Sequence, residues 1–324
     1  MDTPILTVAI PCYNVAHCID RCLNSLRLDE TMGRLDVLCI DDGSTDATAS
    51  VLQDYASQFP HTVRVIHKPN GGWGTAVNLA IEQAQGIYFK ELDADDAMES
   101  AQLLSFLDTL EKIDCDFVAT PYADILPDGT HVAHHFDDLP CNKVFSIADF
   151  WNTYPNGWRF PIHAITYRTS FIQQLPLRVG PRYYTDFEYF LYPMPHVQSI
   201  AVLPHTVTLY SRGLDEQSTS ASGYARHWTD FAALSLRLAK WDNALSLGSL
   251  LAMQMKIQDT IQGTIRFAYE LQLRHADRQT LCSYDRSLHE VSPFHWELAT
   301  KARLHSVPYI ALWRHLGINL LRRK

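Results

Sequence analysis

Short apolar runs alternate with segments of helical spacing through the first hundred residues of the chain. Four runs have the length and the β-branched or aromatic content of buried strands. They lie at residues 6–10, 36–40, 63–67 and 87–92. Apolar residues between the runs recur at the i, i+3, i+4 and i+7 spacing of helices. This alternation predicts an α/β fold, a mostly parallel sheet with helices on both faces.

The pattern changes toward the end of the chain. After one further predicted strand and a turn, long helical patterns with few strand or turn signals cover residues 234–247 and 250–273. We therefore predict an α/β domain over residues 1–224 and a helical C-terminal region over residues 225–324.

The composition is typical of a soluble globular enzyme. Of the 324 residues, 47% are hydrophobic and 19% are charged. Residues 1–10 lack the basic start and long apolar core of a secretory signal. The longest uncharged apolar run, residues 244–255, is shorter than the roughly 20 residues that span a bilayer. Seven cysteines without a framework spacing fit a reducing compartment, so we expect a cytoplasmic protein.

Charge is distributed unevenly along the chain. The net charge of −9 includes a stretch at residues 301–324 with six basic residues and no acidic one. The remainder holds 21 basic and 36 acidic residues, which gives it a net charge of −15. Such a body repels nucleic acid, so we expect no nucleic-acid partner.

The basic stretch also carries apolar residues on one helical face, and two interpretations stay open. An interfacial helix attracted to anionic lipid has this pattern, which would give residues 308–324 a peripheral contact with the inner face of the cell membrane. A helix packed on the domain, with a solvated charged end, has the same pattern. The apolar face comprises Tyr309, Leu312, Trp313, Leu316 and Leu320.

Unusual polar sequences follow the four predicted N-terminal strands. They occupy residues 11–14, 41–46, 68–74 and 93–96. Ligands bind at the carboxyl ends of the strands in open parallel sheets. The sequence therefore predicts a ligand site at this edge of the sheet.

The last of these polar sequences places three carboxylates at one strand end. Like charges so close cost free energy unless a cation or hydrogen-bond donors compensate. Mg²⁺ and Mn²⁺ prefer oxygen ligands and commonly bridge carboxylates to a diphosphate. Asp93 and Asp95 are the metal-ligand candidates, whereas Asp96 could instead cap the following helix. An acidic surface turn is the alternative interpretation of the cluster.

The other polar sequences offer contacts for a nucleotide. Asp41 or Asp42 could accept a hydrogen bond from a nucleobase N–H, and Tyr13, which follows Pro11, could stack on the base. Gly71 lies in a glycine-rich loop that lets backbone approach a ligand closely. Plain turns and a helix cap are the alternative for each of these segments.

The four segments IPCYN, IDDGSTDAT, KPNGGWGTAVNLAIEQAQG and FKELDADD, taken in order, resemble the family 2 glycosyltransferases, which have the GT-A (Rossmann-like) fold. The chain is similar to members that build bacterial cell-surface polysaccharides and teichoic acids. The resemblance implies an inverting enzyme with a UDP-sugar donor and Mn²⁺ or Mg²⁺. It also implies that residues 1–100 bind the nucleotide sugar and residues 101–224 form the acceptor side.

The same resemblance assigns roles to individual donor-side residues. Pro11, Tyr13, Asp41 and Asp42 would surround the base. Asn78 would lie beside the donor. Asp93 and Asp95 would hold ribose, diphosphate and metal, with Asp95 the metal ligand and Asp93 toward the nucleotide.

Inversion requires a general base opposite the departing diphosphate. Family members commonly place an acidic pair before an aromatic-rich helix, and the matching stretch here has Thr185 in place of the first acid. Asp186 matches the second acid and is the candidate base, with Glu188 as its competitor. An ordinary helix start capped by Thr185 is the alternative.

A loop after the last core strand resembles the one that bacterial members use to bind the diphosphate. Arg212 would supply forked donors, and Gln217 and Ser218 would add hydrogen bonds. An exposed surface loop is the alternative. Further candidates for acceptor contact are Trp158, Arg159 and His163, whereas His131, His134 and His135 read as a polar loop.

The resemblance implies glycosyl transfer to a glycan, polymer or lipid-linked acceptor, and two other functions are alternatives. A nucleotidyltransferase would carry a glycine-rich loop and a basic residue after the first strand, which this chain lacks. A non-catalytic nucleotide- or carbohydrate-binding module would not need the acidic cluster or Asp186. The donor sugar, the acceptor and a homo-oligomeric state stay open.

Overall fold

The computed structural model of the protein describes residues 3–154, 160–176, 178–213, 218–245 and 251–321. The chain divides into two compact units, residues 1–214 and 215–324. The first is α/β and the second is helical.

The first unit contains strands and helices in alternation. Its described strands are β1 (Leu6–Cys12), β2 (Leu35–Asp41), β3 (Val63–His67), β4 (Tyr88–Glu91), β5 (Ala97–Met98), β6 (Phe117–Ala119), β7 (Tyr122–Ile125), β8 (His131–His134), β9 (Lys143–Ser146), β10 (Ile165–Arg168), β11 (Ser199–Val202) and β12 (Thr208–Ser211). Its described helices are α1 (Ile19–Ser25), α2 (Thr48–Gln58), α3 (Trp73–Gln83), α4 (Ser100–Leu110), α5 (Ile147–Thr153), α6 (Thr169–Gln174) and α7 (Asp186–Leu191).

These strands form two sheets. The larger has the order β3-β2-β1-β4-β10-β6-β11-β9, and its first four strands are parallel. β10 lies antiparallel between β4 and β6, and β9 is antiparallel to β11. The smaller sheet has the order β5-β12-β7-β8. The predicted α/β fold with a mostly parallel sheet is confirmed.

The N-terminal core forms where the apolar runs of β1 and β2 meet the apolar face of α1. Leu6, Val8 and Ile10 are fully buried against a cluster that includes Ile19 and Leu23. Burying each such side chain stabilises the fold by about 1.5–3 kcal/mol. The predicted helical spacing on α1 is therefore explained by packing.

A buried ion pair ties the first three strands together. Asp36 on β2 accepts a hydrogen bond from Thr7 Oγ1 at 2.8 Å and pairs with Arg64 on β3 through Nε at 2.7 Å. A carboxylate in a buried strand needs such partners, because an unpaired buried charge is costly. The pair links β1, β2 and β3 near their amino ends, at the edge of the sheet opposite the polar loops.

Two local predictions were wrong. β1 continues through Pro11, which lies beyond the last β1–β4 pair, so its missing N–H removes no ladder bond. Asp96 does not cap the next helix: residues 97–98 form β5, and α4 begins after Glu99, whose side chain accepts from Ala101 N.

The second unit consists of helices in its described part. They are α8 (Ala221–Arg226), α9 (Trp228–Asn243), α10 (Leu251–His275), α11 (Arg278–Val291), α12 (Pro293–Thr300) and α13 (Tyr309–Leu316). Within the described ranges, no helix combines the length and the apolar character needed to cross a membrane.

Arg314 fastens α13 onto this helical unit. Its side chain is 5% exposed and pairs through Nε with Asp285 at 2.7 Å. The guanidinium lies 4.1 Å from the ring centroid of Trp296 and donates to the Trp296 carbonyl at 2.8 Å. One of the six basic residues of the C-terminal stretch is therefore internal. The predicted apolar face of this stretch is only partly buried: Tyr309 is buried, whereas Leu316 is 65% exposed.

Replacing Arg314 tests this anchoring. Arg314→Ala leaves Asp285 without its ion-pair partner and removes the cation that stacks on Trp296. We expect the free energy of unfolding to fall by about 3 kcal/mol. Urea denaturation followed by far-ultraviolet circular dichroism measures it. Arg303→Ala, an exposed arginine of the same stretch, is the control and should change the value by less than about 0.5 kcal/mol. Equal losses in both variants would contradict the assignment.

Candidate functional site

Polar loops at the carboxyl ends of β1 and β2 are joined by direct hydrogen bonds. Asn14, in a left-handed conformation with φ 56°, accepts from Thr45 N at 2.8 Å, and its own N–H donates to Ser44 Oγ at 3.1 Å. Asp42 N donates to the Cys12 carbonyl at 2.8 Å. These two loops lie together at one edge of the sheet.

Asp42 supports the loop that follows β3. We call residues 70–74 the glycine loop. The Asp42 carboxylate, which is almost fully buried, accepts from Gly71 N at 2.9 Å and Gly72 N at 2.7 Å, and it pairs with Lys68. Asp42, a nucleobase candidate, and Gly71, a candidate for close approach of backbone to the donor, are therefore bonded to each other. The sequence did not predict a role for Lys68. The signal that could have indicated one is its positive charge next to a predicted site that is otherwise acidic.

Asp41 and Tyr13 differ in their surroundings. Asp41 is buried and accepts from Ser44 N at 3.0 Å, with His67 Nδ1 2.8 Å away. Burial acts to raise the pKa of Asp41, but the hydrogen bonds from Ser44 and His67 outweigh it and the pKa is lowered. Tyr13 is 50% exposed and Pro11 is half-buried. The loop after β1 therefore presents ring surface to solvent.

The acidic cluster after β4 is held through main-chain and indole contacts. Trp73 Nε1 donates to Asp93 Oδ1 at 2.9 Å. The Asp95 carbonyl accepts from Arg21 and from the Ser211 hydroxyl. Asp96 is buried and accepts from Ser211 N at 2.8 Å. Asp96 therefore joins the cluster to β12, and the partly exposed carboxylates are those of Asp93 and Asp95.

The carboxylates of this cluster disfavour one another's charge. Burial raises the pKa of Asp93. Burial and the neighbouring Asp93 raise the pKa of Asp95 to about 6, and burial together with Asp93 and Asp95 raises the pKa of Asp96 well above its usual range. Glu91, on the preceding strand, is also buried, and its Oε1 has no hydrogen-bond partner among the residues described. A bound cation would relieve this repulsion.

The donor set fits a divalent metal that takes part of its coordination from a ligand. Over the described ranges, no group of three or more His, Cys, Asp or Glu side chains could hold a metal by itself. Asp93 and Asp95 supply two oxygen ligands, and Mg²⁺ or Mn²⁺ commonly completes such a shell with phosphate oxygens and water.

Asp186 begins α7 and lies near the acidic cluster. Its side chain is accessible to solvent yet is surrounded by enough protein that desolvation raises its pKa to about 6. The charges of Asp93 and Glu188 contribute to the same rise. Thr185 occupies the N-cap position, but its hydroxyl donates to the Arg182 carbonyl at 2.9 Å, so the predicted side-chain cap was wrong.

Glu188 and Asn78 are both engaged inside the protein. Glu188 is fully buried and accepts from Gly180 N at 2.7 Å and from Tyr192 Oη at 2.8 Å. Asn78 forms two hydrogen bonds with the main chain of Val179: its Nδ2 donates at 3.0 Å and its Oδ1 accepts at 3.1 Å. The sequence did not predict the contacts of Asn78, because Val179 is about a hundred residues away along the chain.

Arg212 begins the predicted diphosphate loop and directly follows β12. Its Nη1 pairs with Asp124 at 2.7 Å, while the side chain is 61% exposed. His134 Nε2 lies 3.1 Å from the same carboxylate. Gln217 lies outside the described residues, as do Trp158 and Arg159, and Ser218 belongs to the second unit.

His163 is enclosed by aromatic rings. Its ring centroid lies 4.2 Å from that of Tyr122 and 4.5 Å from that of Tyr210. Burial lowers the pKa of His163 to about 3, and its Nε2 has no hydrogen-bond partner in the part of the chain described here. The neighbouring Lys90 is buried too and donates to the His163 carbonyl at 2.6 Å. His163 therefore packs as a neutral ring.

Known proteins resemble this chain in sequence and in fold. A relative named chondroitin synthase, from Pasteurella multocida (strain Pm70), is 36% identical over 135 residues, which make up 41% of this chain and 14% of that protein. This chain therefore spans a small part of that relative's length.

Two solved structures share the GT-A fold with this chain. The structure of S. aureus TarS 1-349 in complex with UDP-GlcNAc superposes with a TM-score of 0.63 at 16% identity, over 89% of this chain and 80% of that one. The mannosyltransferase PcManGT from Pyrobaculum calidifontis, in complex with GDP-Man and Mn²⁺, superposes with a TM-score of 0.55 at 16% identity, over 98% and 82%.

The sequence pattern of a whole family also fits the chain. The family described as "Glycosyl transferase family 2" matches residues 7–174, more than half of the 324 residues. The chain therefore belongs to glycosyltransferase family 2.

Proposed function

We propose that the chain is an inverting, metal-dependent transferase of hexosyl or N-acetylhexosaminyl groups from a UDP-sugar to a hydroxyl of a glycan, polymer or lipid-linked acceptor. One observation carries the proposal: Asp186 is solvent-accessible, has a raised pKa, and lies close enough to Asp93 for their charges to interact. A proton acceptor is thus placed beside the carboxylates suited to a metal and a diphosphate.

The donor side has the groups that a nucleotide sugar requires. Tyr13 offers an exposed ring for stacking on the base, and Asp41 and Asp42 are carboxylates at the adjacent strand end. A UDP-sugar donor is supported by the TarS structure, whose ligand is UDP-GlcNAc. A polymer acceptor is supported by the chondroitin synthase relative.

Asp93 and Asp95 would hold the metal, with Asp95 as the principal ligand. The mannosyltransferase structure with Mn²⁺ supports a divalent ion on this fold. When bound, such an ion neutralises charge that develops on the departing diphosphate. Arg212 retains an exposed side chain beside Asp124 and would add fixed positive charge toward the diphosphate.

Asp186 would act as the general base. The acceptor hydroxyl gives its proton to the Asp186 carboxylate while its oxygen bonds to the anomeric carbon, and the bond from that carbon to the diphosphate breaks on the opposite face. A carboxylate with a pKa of about 6 is a stronger base than an ordinary aspartate and is still ionised near neutral pH. Glu188 has both oxygens committed to internal donors, so we assign it to the framework.

Isosteric substitutions separate these two acids. Asp186→Asn should lower kcat by about 1000-fold, because an amide cannot accept the proton. Glu188→Gln should stay within about threefold, because its oxygen can still accept from Gly180 and its amide can donate to Tyr192. UDP release from a panel of UDP-sugars with Mn²⁺ measures both. The reverse ranking would make Glu188 the base. Nucleotide binding by the wild-type chain without turnover of any donor would favour a binding module.

Metal removal tests the acidic cluster. We expect turnover to be lost with EDTA and restored by Mn²⁺, and Asp95→Asn to lower kcat/KM by about 100-fold or more. Asp54→Asn removes one exposed carboxylate from α2 and is the matched control for the change in charge. Full turnover in EDTA, or equal effects of the two substitutions, would contradict metal dependence.

Peripheral membrane contact is proposed for the C-terminal stretch. In the described part of this stretch Arg314 is internal, and the exposed side chains include an apolar group, Leu316, Ile318 and Leu320, together with the basic Lys301 and Arg303. Apolar side chains beside basic ones suit the boundary of an anionic bilayer.

Removing the apolar group should reduce binding to lipid. The triple variant L316S, I318S and L320S should pellet with phosphatidylglycerol vesicles at least about fivefold less than wild type, since each buried side chain adds to affinity. Met255→Ser removes another exposed apolar side chain of the same unit and is the control. Equal pelleting of all three proteins would contradict the proposed membrane contact.

A further inference from the structure

We infer that the glycine loop and Asn78 are a positioning device that fixes Asp186 relative to the donor carboxylates. The inference rests on the proposed function, because it takes Asp186 as the base. The device acts through residues 179–181, here called the bracing segment, which precede α7. In this inference Asn78, Gly72 and Gly74 position the bracing segment, a role other than contact with the donor.

Asn78 holds the first residue of the bracing segment from both sides. Its amide nitrogen donates to the Val179 carbonyl at 3.0 Å, and its oxygen accepts from Val179 N at 3.1 Å. The two bonds fix the position and the rotation of the Val179 backbone. An asparagine is suited to this, because it offers a donor and an acceptor at one carbon.

Gly72 and Gly74 allow the glycine loop to touch the bracing segment directly. Gly74 N donates to the Pro181 carbonyl at 3.2 Å. A Cβ on residue 74 would lie 1.7 Å from the Gly180 oxygen, and one on residue 72 would lie 2.2 Å from the Pro181 oxygen. Both distances are far below contact distance, so neither glycine can gain a side chain unless the bracing segment moves.

The bracing segment is also tied to the helix that carries Asp186. Gly180 N donates to the buried Glu188 on α7 at 2.7 Å, and the Thr185 hydroxyl donates to the Arg182 carbonyl at 2.9 Å. A displacement of the bracing segment is therefore transmitted to the first turn of α7. Asp186 is the first residue of that turn.

The other side of the glycine loop contacts the donor carboxylates. Gly71 and Gly72 donate to Asp42, and Trp73 Nε1 donates to Asp93 at 2.9 Å. The glycine loop thus contacts three parts of the proposed site: Asp42, the candidate for nucleobase contact; Asp93, a candidate metal ligand; and the bracing segment. The spacing between donor and proton acceptor is set by this loop.

Two substitutions test the device. Asn78→Ala removes both bonds to Val179, and Gly74→Ala displaces the Gly180 carbonyl while favouring the helix in which residue 74 lies. Each should lower kcat by about 10- to 100-fold, because a shift of about 1 Å at the reacting groups costs that much. The KM for the donor and the Kd for UDP with Mn²⁺ should stay within about threefold. Glu82→Ala is the control: it lies on the same helix and removes only an exposed pair with Arg178.

Hydrogen exchange gives a readout that does not depend on turnover. In both variants with UDP and Mn²⁺ bound, amides of residues 184–190 should exchange at least about tenfold faster than in wild type, while those of residues 63–67 stay unchanged. Circular dichroism confirms that each variant is folded. If Asn78→Ala does not fold, Gly74→Ala decides by the same criteria.

The outcomes separate this inference from the proposed function. If the wild-type chain turns over no donor, the proposed function fails, whether or not UDP or GDP binds. If wild type is active but the folded variants keep kcat within twofold, the inference is overturned and the proposed function stands. A rise in the Kd for UDP as large as the fall in kcat would also overturn it, because Asn78 would then act in donor binding.

Discussion

The backbone of residue 74 lies so close to the Gly180 carbonyl that only hydrogen fits between them. At this contact the loop after β3 meets the segment that leads to Asp186. Asn78 and Glu188 hold the same segment by hydrogen bonds from either side. Because interiors are close-packed, such a contact has little room for adjustment. The separation between the carboxylates at the end of β4 and the start of α7 is therefore a property of the backbone, fixed before any ligand arrives.

A second constraint is electrostatic. Glu91, Asp93, Asp95 and Asp96 occupy a short stretch whose burial raises the pKa of each. Their repulsion costs free energy in the free protein. Among the described residues, Arg21 and Lys90 offset part of the charge of Asp95 and Glu91, but both donate their hydrogen bonds to main-chain carbonyls. The site is thus under-compensated in positive charge, which is the condition in which a cation or a cationic ligand gains most from binding. The free protein is thus less stable at the acidic cluster, which is where the proposed metal would bind.

The sequence predicted the fold at the level of local pattern. The apolar runs predicted β1 to β4 within a few residues, because strands buried on both faces are almost continuously apolar, and helical spacing predicted helices between them. The acidic cluster stood out in the sequence because carboxylates at a strand end contrast with the apolar run before them, whereas Asp186 was indicated by the family resemblance and begins a helix. The sequence could not predict contacts between distant residues. Asn78 bonding to Val179, Asp96 bonding to Ser211 and Arg314 pairing with Asp285 each depend on chain segments that only the tertiary fold brings together.

The same comparison changes how the motif residues are understood. Asp42 and Gly71 suggested ligand contact by residue type alone, yet they bond to each other, and Gly72 and Gly74 accommodate backbone. A glycine-rich loop beside a carboxylate is thus explained first by how the loop folds. A loop already held by Asp42 and by Asp93 would need little reordering if a nucleotide bound beside it. Asp42 would then both support the loop and lie at the proposed donor site, whereas Gly74 braces the backbone, so substitutions at Asp42 and at Gly74 should affect different steps of one reaction.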